Sequence, residues 1–133
     1  MTMPRARALL GVTALLAAAP HRAAGQSAVP ADTAALRIAR GRTLFQGKGL
    51  CFSCHGKEGE GLLAPSTRLA GRTLGHVKPT ITDVAALIKA GVDSAHSSIG
   101  QPMPPRGGSR LTDAEVELVA WYVLELQKRP APR

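Results

Sequence analysis

The sequence predicts a single small domain built from helices, and three segments with capping residues and apolar faces support this prediction. These segments cover residues 34–45, 83–90 and 112–127. Glycine and proline are frequent between them, which is typical of loops. With 133 residues, 44% of them hydrophobic but only 3% aromatic, the chain can bury the core of one domain.

The first predicted helix begins after Asp32 or Thr33, because either side chain can cap its first turn. Ile38, Gly41 and Phe45 recur at helical spacing on one face. A glycine inside a helix costs about 1 kcal/mol relative to alanine. We therefore expect Gly41 to mark a close crossing by another helix, and a break in the helix at Gly41 is the alternative.

The two later helices have their own start and stop signals. Thr82 is the predicted cap of the helix over residues 83–90, and Gly91 in a left-handed conformation is the predicted end. Thr112 opens the last helix with a capping box, since Glu115 follows three residues later.

The last helix has an apolar face and a mixed face. Trp121 lies on the mixed face, so we expect it to be partly exposed, and docking of a partner at this tryptophan is a hypothesis. The predicted inward face consists of Val119, Tyr122, Val123 and Leu126.

The first 25 residues have the pattern of an export signal. Arg5 and Arg7 precede an apolar run over residues 8–19, and the small residues 23–25 provide a cleavage site. An uncleaved membrane anchor is the alternative, although the run is shorter than the roughly 20 residues of a spanning helix. The predicted organisation is a signal peptide at 1–25, a flexible lead-in at 26–33, a domain at 34–128 and a loose tail at 129–133.

The chain is strongly basic, with a formal net charge of +8. Cleavage after residue 25 would remove three arginines and no acid, which lowers this charge to +5. Such a surface suits acidic protein partners or anionic membrane faces. Nucleic acid is not the expected partner, because the basic residues are scattered and lack interleaved aromatic residues or a reading motif.

The segment GLCFSCHG at residues 49–56 carries the chemistry of the chain. Cys51 and Cys54 can each form a thioether with one vinyl group of a haem, and His55 can then ligate the iron. A zinc half-site is the first alternative, but zinc normally needs a second pair of ligands and the sequence has no other cysteine. A thioredoxin-like dithiol is the second, but no strand-rich pattern surrounds this motif.

The candidates for the iron ligand opposite His55 are few once the signal segment is removed. Met103 lies between prolines, whose fixed φ angles stiffen the backbone around a weakly binding thioether. His76, His96 or an open site are the alternatives. The expected ligands are therefore His55 and Met103.

Three further expectations concern the surroundings of the iron. The second ring nitrogen of His55 should donate to a backbone carbonyl, for which Pro65 is the candidate. Arg72 is a candidate contact of the haem propionates. We expect the charged residues that follow the motif, Lys57, Glu58 and Glu60, to be solvated.

The segments GRTLFQGKGLCFSCHGKEGEG, QPMPPRGG and LTDAEVELVAWYVLEL together resemble the small class I c-type cytochromes of bacteria. The resemblance implies an all-α fold of three to four helices around one covalently attached haem c, with the first and last helices crossing near Gly41, Phe45 and Tyr122. Two positions depart from the family pattern. Arg106 replaces an aromatic residue, bringing positive charge toward the haem edge, and the stretch from Pro65 to Leu69 is longer than usual.

The function that follows is that of an exported, periplasmic electron carrier and not of an enzyme. Its expected partners are redox proteins with acidic docking surfaces, with peripheral association to a membrane complex as an option and no small-molecule substrate. A haem-bearing subunit of a periplasmic dehydrogenase or oxidase complex is the alternative within the same chemistry. A gas-binding or peroxidase haem protein is the alternative from a different class.

Overall fold

The structure is a computed structural model, and it describes residues 33–75 and 77–130. Within these residues four α-helices follow one another: α1 (Ala34–Gln46), α2 (Phe52–His55), α3 (Ile81–Ala90) and α4 (Asp113–Lys128). Short 3-10 segments lie at Pro65–Thr67 and Pro105–Gly108. The described part of the chain contains no strand, and the predicted all-α fold is confirmed.

Helix α1 begins where the sequence indicates. Thr33 is its cap, with the hydroxyl accepting a hydrogen bond from the Leu36 amide at 3.3 Å. After the helix ends, the Gly49 amide donates to the Leu44 carbonyl at 2.7 Å, and this turn directs the chain into α2.

Gly41 is the contact point between α1 and α4. A Cβ atom added to Gly41 would lie 1.9 Å from the carbonyl oxygen of Leu118, so the two backbones touch there. One turn further along α1, the rings of Phe45 and Tyr122 pack edge to face, with centroids 5.3 Å apart. The predicted crossing is confirmed, and the alternative of a helix break at Gly41 is wrong.

The cap of α3 lies two residues before the predicted one. Thr80, and not Thr82, is the cap, because the Thr80 hydroxyl accepts from the Asp83 amide at 3.1 Å while the Thr80 backbone is extended. Gly91 does end the helix with a positive φ of 72°, but its ψ of −170° lies outside the left-handed helical region.

Helix α4 confirms the predicted capping box. The Thr112 hydroxyl accepts from the Glu115 amide at 3.3 Å, and the Glu115 carboxylate accepts from the Thr112 amide at 2.8 Å. Trp121 is half-buried, and the guanidinium of Arg37 lies over its ring at 5.3 Å from the centroid. The predicted inward residues of α4 are all buried, together with Val116 and Ala120.

The core lies between α1, α3 and α4 and is completed by residues of the connecting loops. Its largest fully buried side chains are those of Tyr122, Phe45, Leu126, Val84, Val116 and Val119. No polar or charged residue among those described is buried. The core therefore orders the helices by apolar contact, and the polar groups act at its edges.

Several expectations fall on residues outside the described ranges: the signal peptide at 1–25, the lead-in up to residue 32, His76, and the last three residues. None of the described helices combines the length and the apolar character needed to cross a membrane. Arg129, which the sequence assigns to a loose tail, pairs with Glu58 through Nη1 at 2.7 Å, so that end of the domain is held in place.

Candidate haem site

The two cysteines and the histidine are brought together by the single turn of α2. Cys51 precedes this helix and Cys54 and His55 lie at its end, with the His55 amide donating to the Cys51 carbonyl at 3.1 Å. Residues three and four apart share one face of a helix. All three side chains therefore line the same cavity.

The cavity has a volume of about 320 Å³ and receives side chains from all four helices and the loops between them. Its wall is largely apolar. The apolar residues that line it include Phe45, Leu69, Val84, Ile88, Val119 and Val123. Met103 lines this cavity as well, so the structure brings the predicted methionine to the same space as the Cys-His segment.

Both thiols are free of any disulfide. Cys51 is buried, and this burial raises the pKa of its thiol to about 11. Cys54 is half-buried and lies closer to solvent. The pair therefore presents one inner and one outer sulfur to the cavity.

His55 is fixed by a hydrogen bond from its ring to a backbone carbonyl, as expected, but the partner is not Pro65. Nδ1 of His55 lies 2.6 Å from the carbonyl oxygen of Thr67. The Pro65 carbonyl instead accepts from the Arg68 amide at 3.3 Å within the 3-10 turn, which directs it along the turn and away from the imidazole. The prediction of Pro65 is wrong by two residues.

Partial burial also sets the protonation state of this imidazole. It lowers the pKa of His55 below the ordinary value, and the hydrogen bond to Thr67 offsets this only in part. At neutral pH the ring is therefore uncharged, with Nδ1 as donor to Thr67 and Nε2 carrying the free lone pair.

Thr67 is a site residue that the sequence reasoning missed. Its hydroxyl oxygen lies 2.9 Å from the Cys54 carbonyl and 2.7 Å from the Ala64 carbonyl. The side chain thus ties the 3-10 turn to α2, while the main chain orients His55. The unusual length of the stretch from Pro65 to Leu69 was the available signal, because it moves the carbonyl at the imidazole further along the chain.

The loop that carries Met103 is joined to the end of α3 by paired backbone hydrogen bonds. The Val92 amide donates to the Met103 carbonyl, and the Met103 amide donates to the Val92 carbonyl, each at 2.8 Å. Gly91 makes this approach possible, since a Cβ atom there would lie 2.4 Å from the Met103 oxygen. The flanking prolines are therefore only part of what fixes the methionine.

His96, an alternative to Met103, lies near the mouth of the same cavity and points mainly to solvent. Its side chain is 80% exposed, and Nδ1 lies 2.8 Å from an Asp93 carboxylate oxygen. The hydrogen bond from His96 is the main reason that the pKa of Asp93 falls below its ordinary value. This geometry favours a surface hydrogen bond between His96 and Asp93. The other alternative, His76, lies outside the described residues.

Arg72, which the sequence suggests as a contact of the haem propionates, lines the cavity. Its Nη1 donates to the Ser66 carbonyl at 2.8 Å. Arg106 behaves differently from the expectation that it brings charge to the haem edge. Its guanidinium donates to the Leu111 carbonyl at 2.8 Å and pairs with Asp113 at the start of α4. The charge of Arg106 is thus balanced by an acid instead of facing the cavity.

Glu58 is not simply solvated, as the sequence suggested, but joins the Cys-His loop to both terminal helices. Its carboxylate accepts hydrogen bonds from Arg42, Gln46, Tyr122 and Arg129. Partial burial alone would raise the pKa of Glu58, but the hydrogen bonds from Arg129 and Arg42 outweigh it and hold the pKa below its ordinary value. The loop after His55 is therefore anchored electrostatically at neutral pH.

Comparison with protein families identifies the family of this chain. The family model described as Cytochrome c matches residues 38–127, which is more than half of the chain and includes both the Cys-His segment and the methionine loop. The chain belongs to the cytochrome c family. A comparison with curated proteins found no match, and neither did a comparison with solved structures.

A cytochrome c is a haem-bearing electron-transfer protein, and covalently bound haem c is its cofactor. The residues of this site fit that group. Two free thiols at the family's spacing, an oriented imidazole and a thioether line one apolar cavity. The lining also includes Arg68 and Arg72, and guanidinium groups suit the carboxylates of a haem.

Proposed function

We propose that this cytochrome c carries single electrons between redox proteins outside the cytoplasmic membrane, and that His55 and Met103 would ligate the iron of one haem. The observation that carries the proposal is the convergence of both thiols, the imidazole and the thioether on one cavity. A haem with histidine and methionine ligands supplies a one-electron change between ferric and ferrous iron.

The thiols of Cys51 and Cys54 hold the cofactor in this proposal. Each S–H would add across one vinyl C=C bond of the haem, with sulfur bonded to one carbon and hydrogen to the other, so that the attachment would need no oxidant or reductant. The turn of α2 supports this assignment, because it sets both sulfurs on one side with His55.

His55 offers Nε2 to the iron while Nδ1 donates to Thr67. The fixed carbonyl prevents rotation of the ring, and burial keeps the ring neutral, as a ligand must be. Contact with Phe45, whose ring centroid lies 6.3 Å from that of His55, limits movement of the imidazole further. The ligand therefore has one orientation before and after an electron moves.

Met103, which lines the same cavity, would offer its thioether sulfur as the second ligand. A thioether is a weak ligand, so its backbone must be held close to the bonding position. The paired hydrogen bonds with Val92 supply this restraint. With both side chains restrained in a largely apolar cavity, little rearrangement would accompany a one-electron change at the iron.

The rim of the cavity supports electron exchange with another protein. Leu50 and Leu63 line it beside Cys54 and remain 49% and 53% exposed. Basic residues on the surface favour an acidic partner, with an attraction that weakens as salt rises. The basic and apolar pattern of residues 1–25 supports export.

The test is spectroscopic and uses the purified mature protein. After denaturation the haem must remain bound to the polypeptide, and the oxidised folded protein must show a sulfur-to-iron charge-transfer band. Met103→Ala should abolish this band and allow the reduced protein to bind carbon monoxide rapidly. His96→Ala is the control and should leave both properties unchanged.

Two results would count against the proposal. Haem that is released on denaturation would contradict the thioether assignment, and a charge-transfer band retained in Met103→Ala would contradict the methionine ligand. The partner is tested separately: reduction rates by the physiological partner should fall with increasing ionic strength, and rates independent of salt would contradict an acidic partner.

A further inference from the structure

The charges around the cavity are all of one sign. Among the described residues that line it, Arg68 and Arg72 carry permanent positive charge, and no aspartate or glutamate is present. A haem carries two propionate carboxylates. A lining with two guanidinium groups and no acid therefore matches the charge of this ligand.

The two arginines differ in the hydrogen bonds that they already make. Nη1 of Arg72 donates to the Ser66 carbonyl at 2.8 Å, and the Arg72 side chain is exposed. Nε of Arg68 is buried and has no hydrogen-bond partner among the described residues. Leaving a buried N–H unpaired destabilises the folded protein, and more so when the group is charged. Arg68 is thus the cavity arginine with a strong need for an acceptor.

We infer that Arg68 donates from Nε to a propionate carboxylate of the bound haem and is a cofactor-binding residue of this protein. The inference rests on the proposed haem attachment. Arg68 directly follows Thr67, whose carbonyl holds His55, and its own amide donates to the Pro65 carbonyl at 3.3 Å. One short segment therefore positions both the proximal imidazole and a carboxylate of the cofactor.

This placement has an electrostatic consequence. A positive charge in the low-dielectric wall favours the ferrous state, which carries one positive charge fewer than the ferric state. Removing it while the propionate stays ionised favours the ferric state. For Arg68→Gln we expect the ratio of oxidised to reduced protein at a fixed potential to rise on the order of tenfold, which is a shift of about 59 mV to lower potential.

The experiment is a spectroelectrochemical titration of purified holoprotein at neutral pH. Arg68→Gln is compared with Arg40→Gln, which removes the same charge from an exposed position on α1 that does not line the cavity. Haem content is measured on each denatured sample. Loss of covalent haem from the wild type would contradict the proposed function, whereas equal haem content with altered potential concerns Arg68 alone.

A potential in Arg68→Gln equal to that of Arg40→Gln would overturn the inference. If Arg68→Gln does not accumulate as holoprotein, Arg68→Lys takes its place, because lysine keeps the charge but cannot reproduce the donor geometry of Nε. A redox-difference infrared spectrum is then decisive. The carboxylate bands of the haem should shift in Arg68→Lys and not in Arg40→Gln, and unshifted bands would refute the contact.

Discussion

His55 and Met103 line the same cavity, but the chain secures them by different means. His55 is held by three sets of hydrogen bonds. Its backbone amide donates within α2, its backbone carbonyl accepts from the Gly61 amide at 2.8 Å, and its ring nitrogen Nδ1 donates to the Thr67 carbonyl at 2.6 Å. Thr67 is itself tied to α2 through its hydroxyl. The hydrogen bonds among Cys54, His55 and Thr67 therefore form a network, called the proximal network below, in which each group supports another.

Met103 is held by its backbone alone among the hydrogen bonds of the described residues. The two bonds with Val92 fix the main chain, and the side chain is half-buried against the core. Since the loop bears exposed residues on both sides of the bridge, its local stability is lower than that of the proximal network. We therefore expect the loop that carries Met103 to open before the proximal network does, and without unfolding of the whole domain.

The largest effect is expected from Gly41→Ala, because it disturbs the packing of the whole fold and therefore the surroundings of both His55 and Met103. The new Cβ would lie 1.9 Å from the Leu118 carbonyl, so α1 and α4 must separate. We expect a loss of stability of about 3 kcal/mol or more in the free energy of unfolding, measured with denaturant. Gly75→Ala is the control, because nothing lies within 4 Å of a Cβ there. Equal stabilities of the two variants would contradict the close crossing.

Gly91→Ala should displace the Met103 loop while leaving the proximal network in place. The backbone conformation at Gly91 is almost restricted to glycine, and the added Cβ would lie 2.4 Å from the Met103 oxygen. The strain costs about 1–3 kcal/mol. Relief by local movement should weaken the sulfur-to-iron band while far-ultraviolet circular dichroism is kept.

Gly100→Ala is the matched control for Gly91→Ala. It lies in the same loop and also has a positive φ of 68°, but nothing lies within 4 Å of its Cβ. A band weakened equally in both variants would show that general strain of the loop, and not the contact with Met103, controls the methionine.

Thr67→Val should loosen the proximal network without turning the imidazole. The substitution keeps the shape and the main-chain carbonyl that faces His55 but removes the hydroxyl that bridges Cys54 and Ala64. We expect a loss of about 1–2 kcal/mol in the free energy of unfolding with an unchanged charge-transfer band. The control Thr73→Val lies on an exposed stretch and should cost nothing measurable. A lost band in Thr67→Val would mean that the carbonyl needs the hydroxyl for its position.

The smallest effect is expected from Glu58→Gln, at about 0.5–1 kcal/mol, because its ion pairs are partly exposed. The pKa of Glu58 is lowered in the folded state, so its stabilisation is present above pH 4.5 and is lost as pH falls through the folded value. The stability difference between wild type and variant should therefore shrink below pH 4.5. Glu117→Gln, at an exposed position, is the control, and a difference independent of pH would contradict this role.

Local signals in the sequence were sufficient for much of the helical framework. The capping box of Thr112 and Glu115 and the crossing at Gly41 each depend on residues close in the chain or on an unusual glycine. The cap of α3 was misassigned because two threonines precede Asp83, and only the backbone shows that Thr80 is the extended one. The spacing of the Cys-His segment likewise predicted which side chains would line the cavity.

Long-range contacts were beyond such signals. Glu58 lies 71 residues from Arg129, and the short charged segment around Glu58 gives no indication that a distant arginine returns to it. The partner of His55 was predicted as Pro65 instead of Thr67 for a similar reason, because the direction of a carbonyl depends on how the 3-10 turn ends. The pairing of Met103 with Val92 is also invisible in sequence, where the prolines alone suggest rigidity.

The bridge between Val92 and Met103 has a consequence for how this protein can change over evolution. It closes residues 93–102 into a loop whose two ends are joined at the base, so the tip can lengthen or shorten without displacing the methionine. The entropic cost of such length changes grows slowly, by about 0.6 kcal/mol for each doubling. The loop tip is thus a place where insertions can be accepted and new recognition elements acquired while the redox centre is inherited intact.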